Sequence, residues 1–142
     1  MEVLAIEHTL TELDHARLTR LIHRYKCGRP TSSPALPIEQ VLQAAEVVPW
    51  SRLSPDVVTM RSRVLLEDLQ TGARNRRTLC FPGEVESDQD ARRVSVLSPL
   101  GGSLLGRKAG ATVHWPTPSG GQLAARILRV LFQPEASGEF AR

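Results

Sequence analysis

The chain has 142 residues, 41% apolar and 23% charged, a globular mixture long enough for one ordinary domain or two small ones. Aromatic residues make up only 4% and lie scattered, which disfavours a base-stacking platform for single-stranded nucleic acid, and the net charge of +3 comes from acids and bases interspersed along the chain. The apolar runs are too short to span a membrane, Met1 to Glu7 carry no basic stretch followed by an apolar one, and Cys27 and Cys80 fall in different elements, so the expectation is a cytoplasmic protein with free thiols.

Thr11 stands before Glu12 and Asp14 as an N-cap with acids in the first turn. Leu13, Leu18, Leu21, Ile22 and Tyr25 recur at helical spacing up to Lys26. This predicts a helix of about fifteen residues, roughly 22 Å long. Cys27 to Pro34 has the composition of a connector, with Gly28 to stop the helix and Pro30 and Pro34 to keep it stopped. Pro37 suits the first position of a second helix whose Ile38, Val41, Leu42 and Ala45 share a face. Residues 1–50 therefore read as an antiparallel helical hairpin, a short coiled coil.

Residues 51–55 read as a linker, after which the period becomes two over residues 56–142. Val58, Met60, Val64 and Leu66 alternate with more polar neighbours; Leu79 and Phe81, Val94 and Val96, and Val113 and Trp115 mark three further strands. Arg74-Asn75-Arg76-Arg77 is the densest basic stretch, read as a solvated hairpin edge guarded by charge. Ser98 caps, Pro99 starts and Gly106 stops one short helix. Pro116 to Gly121 is a turn cluster, and Gln122 to Gln133 is long enough to be a central strand paired on both sides. The expected fold is α+β: the hairpin plus an antiparallel sheet curled over one short helix.

Little in the chain supports catalysis. His8, Glu12 and His15 fall at spacings of four and three, but two nitrogens and one oxygen leave a zinc site without its usual closure, so they read as a solvated helix start. His23 reads as a polar-face residue and His114 as a sheet-surface one. No Ser-His-Asp or Cys-His set emerges from spacing, and no metal or cofactor is expected.

The run from Val94 to Gly110 contains Ser98-Pro99-Leu100-Gly101, then Leu104-Leu105-Gly106, then a basic step to Gly110. In that order these resemble the C-terminal domain of the Gre-type transcript cleavage factors. Asp56 to Val64, His114-Trp115 and Gln133 to Phe140 resemble one branch of that superfamily, the regulator of nucleoside diphosphate kinase family. Ala111 stands where the resemblance leads one to expect Asp.

The resemblance implies a C-terminal domain similar to the FK506-binding immunophilins and binding to RNA polymerase at its secondary channel. Ser98, Pro99, Leu100, Gly101 and Gly102 would dock on the channel rim. Arg17, Arg20, Arg24, Lys26 and Arg29 of the hairpin would face the channel mouth, steered by charge. Gre-type factors carry two acids at the hairpin tip to hold a metal ion for cleavage; here no Asp or Glu lies between Tyr25 and Pro37, and Glu39 stands alone. The reading is a non-enzymatic transcription regulator that competes with Gre-type factors without cleavage and affects nucleoside diphosphate kinase indirectly. No membrane partner and no sequence-specific nucleic acid are expected. A prolyl isomerase and an active cleavage factor are the alternatives, and the oligomeric state stays open.

Overall fold

A hydroxyl, a parallel strand pair and a shared core organise the N-terminal third. The computed structural model describes residues 8–27, 37–85 and 92–137, with the Val85 side chain excepted. Strand β1 (Thr9–Thr11) runs directly into helix α1 (Glu12–Lys26), because the extended Thr11 accepts from the Asp14 N–H at 3.1 Å through its Oγ1. Glu12 and Asp14 in the first turn and His23, Arg24 and Lys26 in the last complement the helix dipole. Helix α2 (Pro37–Ala44) starts on the expected proline and buries Ile38 and Val41. Beyond Cys27, the connector read between the helices, with Arg29, lies outside the described residues.

Strand β2 (Glu46–Val48) pairs in parallel with β1, in the register Thr9 to Glu46, Leu10 to Val47 and Thr11 to Val48. A parallel pair needs a crossover, which α1 and α2 supply. The second helix thus ends earlier than residue 50, and the stretch after it is a strand followed by a 3-10 turn at Trp50–Arg52.

The larger sheet has five strands: β3 (Arg63–Asp68), β4 (Arg74–Cys80), β5 (Arg93–Ser95), β6 (Thr112–Pro116) and β7 (Gln122–Phe132). Their order is β5-β4-β3-β7-β6. The long β7 is paired on both sides as expected, although β3 holds the middle position, and the β3–β7 register slips twice. The sheet is not wholly antiparallel. β5 runs parallel to β4, reached through the short helix α3 (Pro82–Val85) and the residues after it. β5 covers only Thr78–Cys80, so Arg74–Arg77 occupy a stretch whose outer edge is unpaired among the described residues. Exposed charge there discourages further strand addition.

Val58 and Met60, whose alternation with Val64 and Leu66 suggested one strand, lie before β3 and outside it. These residues form a loop: Ser62 Oγ accepts from the Thr59 N–H at 2.8 Å, the Ser62 N–H donates to the Thr59 carbonyl at 3.0 Å, and Arg61 sits at φ +65°. A left-handed non-glycine residue cannot continue an extended strand. Val58 and Met60 are nonetheless buried, so their period reflected burial from a loop.

Helix α4 (Pro99–Leu104) follows β5, and helix α5 (Pro134–Ser137) follows β7. One apolar cluster joins Leu10, Leu18, Ile38 and Val41 of the N-terminal third to Val64, Leu79, Leu104, Leu105, Val113 and Ile127 of the remainder. The helices and the large sheet share one core across residues 51–55. Cys27 is exposed and Cys80 is buried, its Sγ donating to the Thr78 carbonyl at 3.5 Å. No helix among the described residues is long and apolar enough to cross a membrane.

Candidate functional site

Ser98 to Gly102 forms the start of α4, and local chemistry explains it. Ser98 Oγ accepts from the Gly101 N–H at 3.1 Å and donates to the Ser95 carbonyl at 2.6 Å, while Pro99 occupies the first turn, where its missing N–H costs nothing. Gly106, at φ +78°, turns the chain after the helix; its carbonyl accepts from the Thr9 N–H and its N–H donates to the Val58 carbonyl. The five residues divide sharply. Gly101 and Gly102 are buried, Ser98 and Leu100 are partly buried with Leu100 against the core, and Pro99 is exposed. A Cβ on Gly102 would come within 3.1 Å of the Pro37 side chain, so the bare backbone lets α4 close on α2.

The arginines read from the helix surface also divide. Arg17, Arg20 and Arg24 share a groove of about 760 Å³ with Leu21, Tyr25 and Phe81. Arg17 forms an ion pair with Asp14 at 2.5 Å and lies 5.3 Å from the centre of the Phe81 ring; Arg61 lies 5.5 Å from that centre. Lys26 belongs elsewhere, bound to Glu39 at 2.8 Å. Leu97, one residue before Ser98, lines the same groove, so the capped turn begins at its rim. A second groove of about 430 Å³ lies against α4, between Pro99, Ser103, His8, Arg107, His114 and Trp115. Burial lowers the His8 pKa, partly offset by its hydrogen bond with the Leu105 carbonyl at 2.6 Å and reinforced by the nearby Arg107 cation. His8, Glu12 and His15 form no metal cluster: His15 Nε2 reaches the Leu42 carbonyl at 3.1 Å, and no group of three metal-ligating side chains occurs among the described residues.

A buried polar cluster went unread. Asp14, fully buried, accepts from the Met60 N–H at 3.0 Å and from Arg17. Thr59 Oγ1 lies 2.8 Å from Ser62 Oγ and donates to Glu135 Oε1 at 2.6 Å. Gln133 Nε2 donates to the Ser54 and Val57 carbonyls. The stretches Asp56 to Val64 and Gln133 to Phe140, distant in sequence, thus meet at their described residues. The signal was their joint polarity inside apolar surroundings, Thr59 and Ser62 three apart and Glu135 after a proline.

Burial raises the Glu135 carboxyl above its ordinary 4.5; the Thr59 hydroxyl opposes this, Asp14 adds to it, and Arg17 opposes it. The folded state therefore holds this proton more tightly than the unfolded chain. Its contribution to stability is greatest below pH 4.5 and declines as pH rises through the folded value. Glu135→Gln keeps an acceptor for Thr59 and removes the titration. Its melting temperature relative to the parent is expected to rise with pH from 4.5 to 8; a difference that is flat or falls over that range contradicts the assignment.

Residues 53–132 match the family described as transcription elongation factor GreA/GreB, C-terminal. The chain belongs to the GreA/GreB family. The match extends to nearly full length with the regulator of nucleoside diphosphate kinase of Escherichia coli (strain K12), 31% identical over 135 residues, 92% of this chain and 93% of that protein. Transcription elongation factor GreA of Acidiphilium cryptum is 41% identical over 95 residues, covering 67% of this chain but 59% of the GreA protein. The solved structure of a prokaryotic transcription elongation factor GreA/GreB from Nitrosomonas europaea is 32% identical, with a TM-score of 0.70 over 89% of this chain and all of that one. This is a GreA/GreB-type α+β fold; of the stretches that carried the sequence resemblance, Asp56 to Val64, Val94 to Gly110 and His114-Trp115 lie within the matched span and Gln133 to Phe140 lies beyond it.

Proposed function

We propose that this GreA/GreB family member is a non-enzymatic regulator that binds RNA polymerase at the secondary channel and competes there with Gre-type factors without stimulating transcript cleavage. Its work is cytoplasmic, and any effect on nucleoside diphosphate kinase follows from transcription. Residues 56–142, read as an immunophilin-like domain, dock on the channel rim, and the helices within residues 1–50 face the channel mouth. The observation that carries the absence of cleavage is the fate of Glu39. It is the first carboxylate after Asp14 in the chain, and Lys26 holds it in an ion pair at 2.8 Å. A carboxylate neutralised by an ammonium and lacking a second acid beside it is a poor ligand for a hard divalent cation, which wants several oxygens.

For docking, the geometry narrows the Ser98 to Gly102 set. Ser98, Gly101 and Gly102 serve the turn itself, so Pro99 is the residue free to meet a partner. Pro99→Asp places a charge on that face while keeping a residue suited to the first turn of a helix. The variant is expected to melt with the parent and to be retained at least about tenfold less by immobilised core RNA polymerase, a loss of about 1.4 kcal/mol. Equal retention of parent and variant would show that the turn is not the docking point.

A further inference from the structure

The groove along α1 is lined by Arg17, Arg20 and Arg24 and by no carboxylate. Their spacing of three and four places the three guanidiniums along one helix face, over roughly 10 Å of its length. Two acids near the row are already engaged: Asp14 on α1 by Arg17 and the Met60 N–H, and Glu84 on α3 by Arg61 at 3.0 Å. Arg20 and Arg24 are exposed and form no ion pair among the described residues, and Arg17 Nε is buried without a hydrogen-bond partner. Between the arginines the surface is apolar, from Leu21 and Tyr25 on α1 to Phe81, Pro82 and Leu97 opposite.

We infer that this groove docks an acidic protein segment carrying a bulky apolar side chain. Carboxylates one helical turn apart meet Arg20 and Arg24, the two cations of the row that Asp14 does not neutralise, and the apolar side chain enters between Leu21 and Leu97. Two features favour a protein segment over a polyanion such as nucleic acid. The lining between the cations is apolar, which rewards an aliphatic or aromatic anchor that a phosphate backbone lacks. The Phe81 ring, the natural stacking surface for a base, is already contacted by Arg17 and Arg61. These are the arginines that the polymerase reading turns toward the channel mouth; the peptide test uses no polymerase, so either reading can fail without the other.

The probe is a fluorescent helical peptide with Glu at positions i, i+3 and i+7 and Leu and Phe at i+4 and i+8, titrated with the full chain. Counterparts carry Gln for Glu, or Ala for Leu and Phe. The acidic, apolar peptide is expected to bind at least about tenfold more tightly than either counterpart, with affinity falling as salt rises. Arg20→Gln with Arg24→Gln is expected to remove that preference at an unchanged melting temperature, since both side chains are exposed and glutamine matches arginine as a helix former. The inference is overturned by no detectable binding, by equal affinity for the Gln counterpart, by full binding to the double variant, or by tighter binding of an oligothymidylate of equal charge.

Discussion

Gly101→Ala is expected to destabilise the protein by more than about 3 kcal/mol, although at an ordinary helical site the same change stabilises by about 1 kcal/mol. The sign reverses because an ideal Cβ on Gly101 would lie 2.0 Å from the Ser95 carbonyl oxygen and 2.8 Å from its carbon. Those atoms are backbone, at the end of β5, and the same carbonyl accepts from Ser98 Oγ. Relief requires α4 to move off β5, which opens the contacts of the buried Val96 and Leu104. Gly83→Ala is the matched control, since a Cβ there meets nothing within 4 Å and its φ is not positive. Urea unfolding of the two variants gives the comparison. A Gly101→Ala protein within about 0.5 kcal/mol of the parent would contradict the close approach of α4 to β5.

Asp14→Ala is the second large effect, a loss of about 2 to 4 kcal/mol. Asp14 is fully buried and ties α1 to the loop before β3 by accepting from the Met60 N–H at 3.0 Å; it also neutralises Arg17. Removing it strands a buried backbone donor and a half-buried guanidinium together. Asp14→Asn keeps an acceptor for Met60 and loses only the charge pairing, so it is expected to fall between Ala and the parent in urea unfolding. If Asn and Ala are equally unstable, the hydrogen bond to Met60 contributes nothing and the ion pair accounts for the whole loss; if both match the parent, the junction between α1 and the sheet does not depend on Asp14.

These two residues also mark where the chain is legible on its own. Helix boundaries were readable because caps are local: Thr11, Pro37 and Ser98 each set the start of a helix through atoms a few residues away. Strands with an alternating core face, β3, β6 and most of β7, were readable for the same reason. What escaped was non-local. β1 and β2 have three residues each, too few for a period, and exist because they pair with one another across two helices. The parallel pairing of β5 with β4 likewise depends on a crossover that no local pattern announces. Asp14 read as an ordinary first-turn acid, although its partner Met60 lies 46 residues away.

The candidate sites follow the same division. The spacing of Arg17, Arg20 and Arg24 was visible, but the opposite wall, Phe81 to Gly83 and Leu97, was not. Ser98 to Gly102 was recognisable as a unit, yet its glycines face inward against Ser95 and Pro37, which leaves Pro99 as the exposed member.

A stalled elongation complex distinguishes occupancy of the polymerase channel without cleavage from the alternatives. With end-labelled RNA, this protein alone is expected to leave the transcript length unchanged, and increasing amounts of it are expected to suppress, in proportion, the shortening produced by a fixed amount of GreA. Shortening by this protein alone, or GreA cleavage that persists undiminished at a large excess of it, would contradict channel occupancy without cleavage.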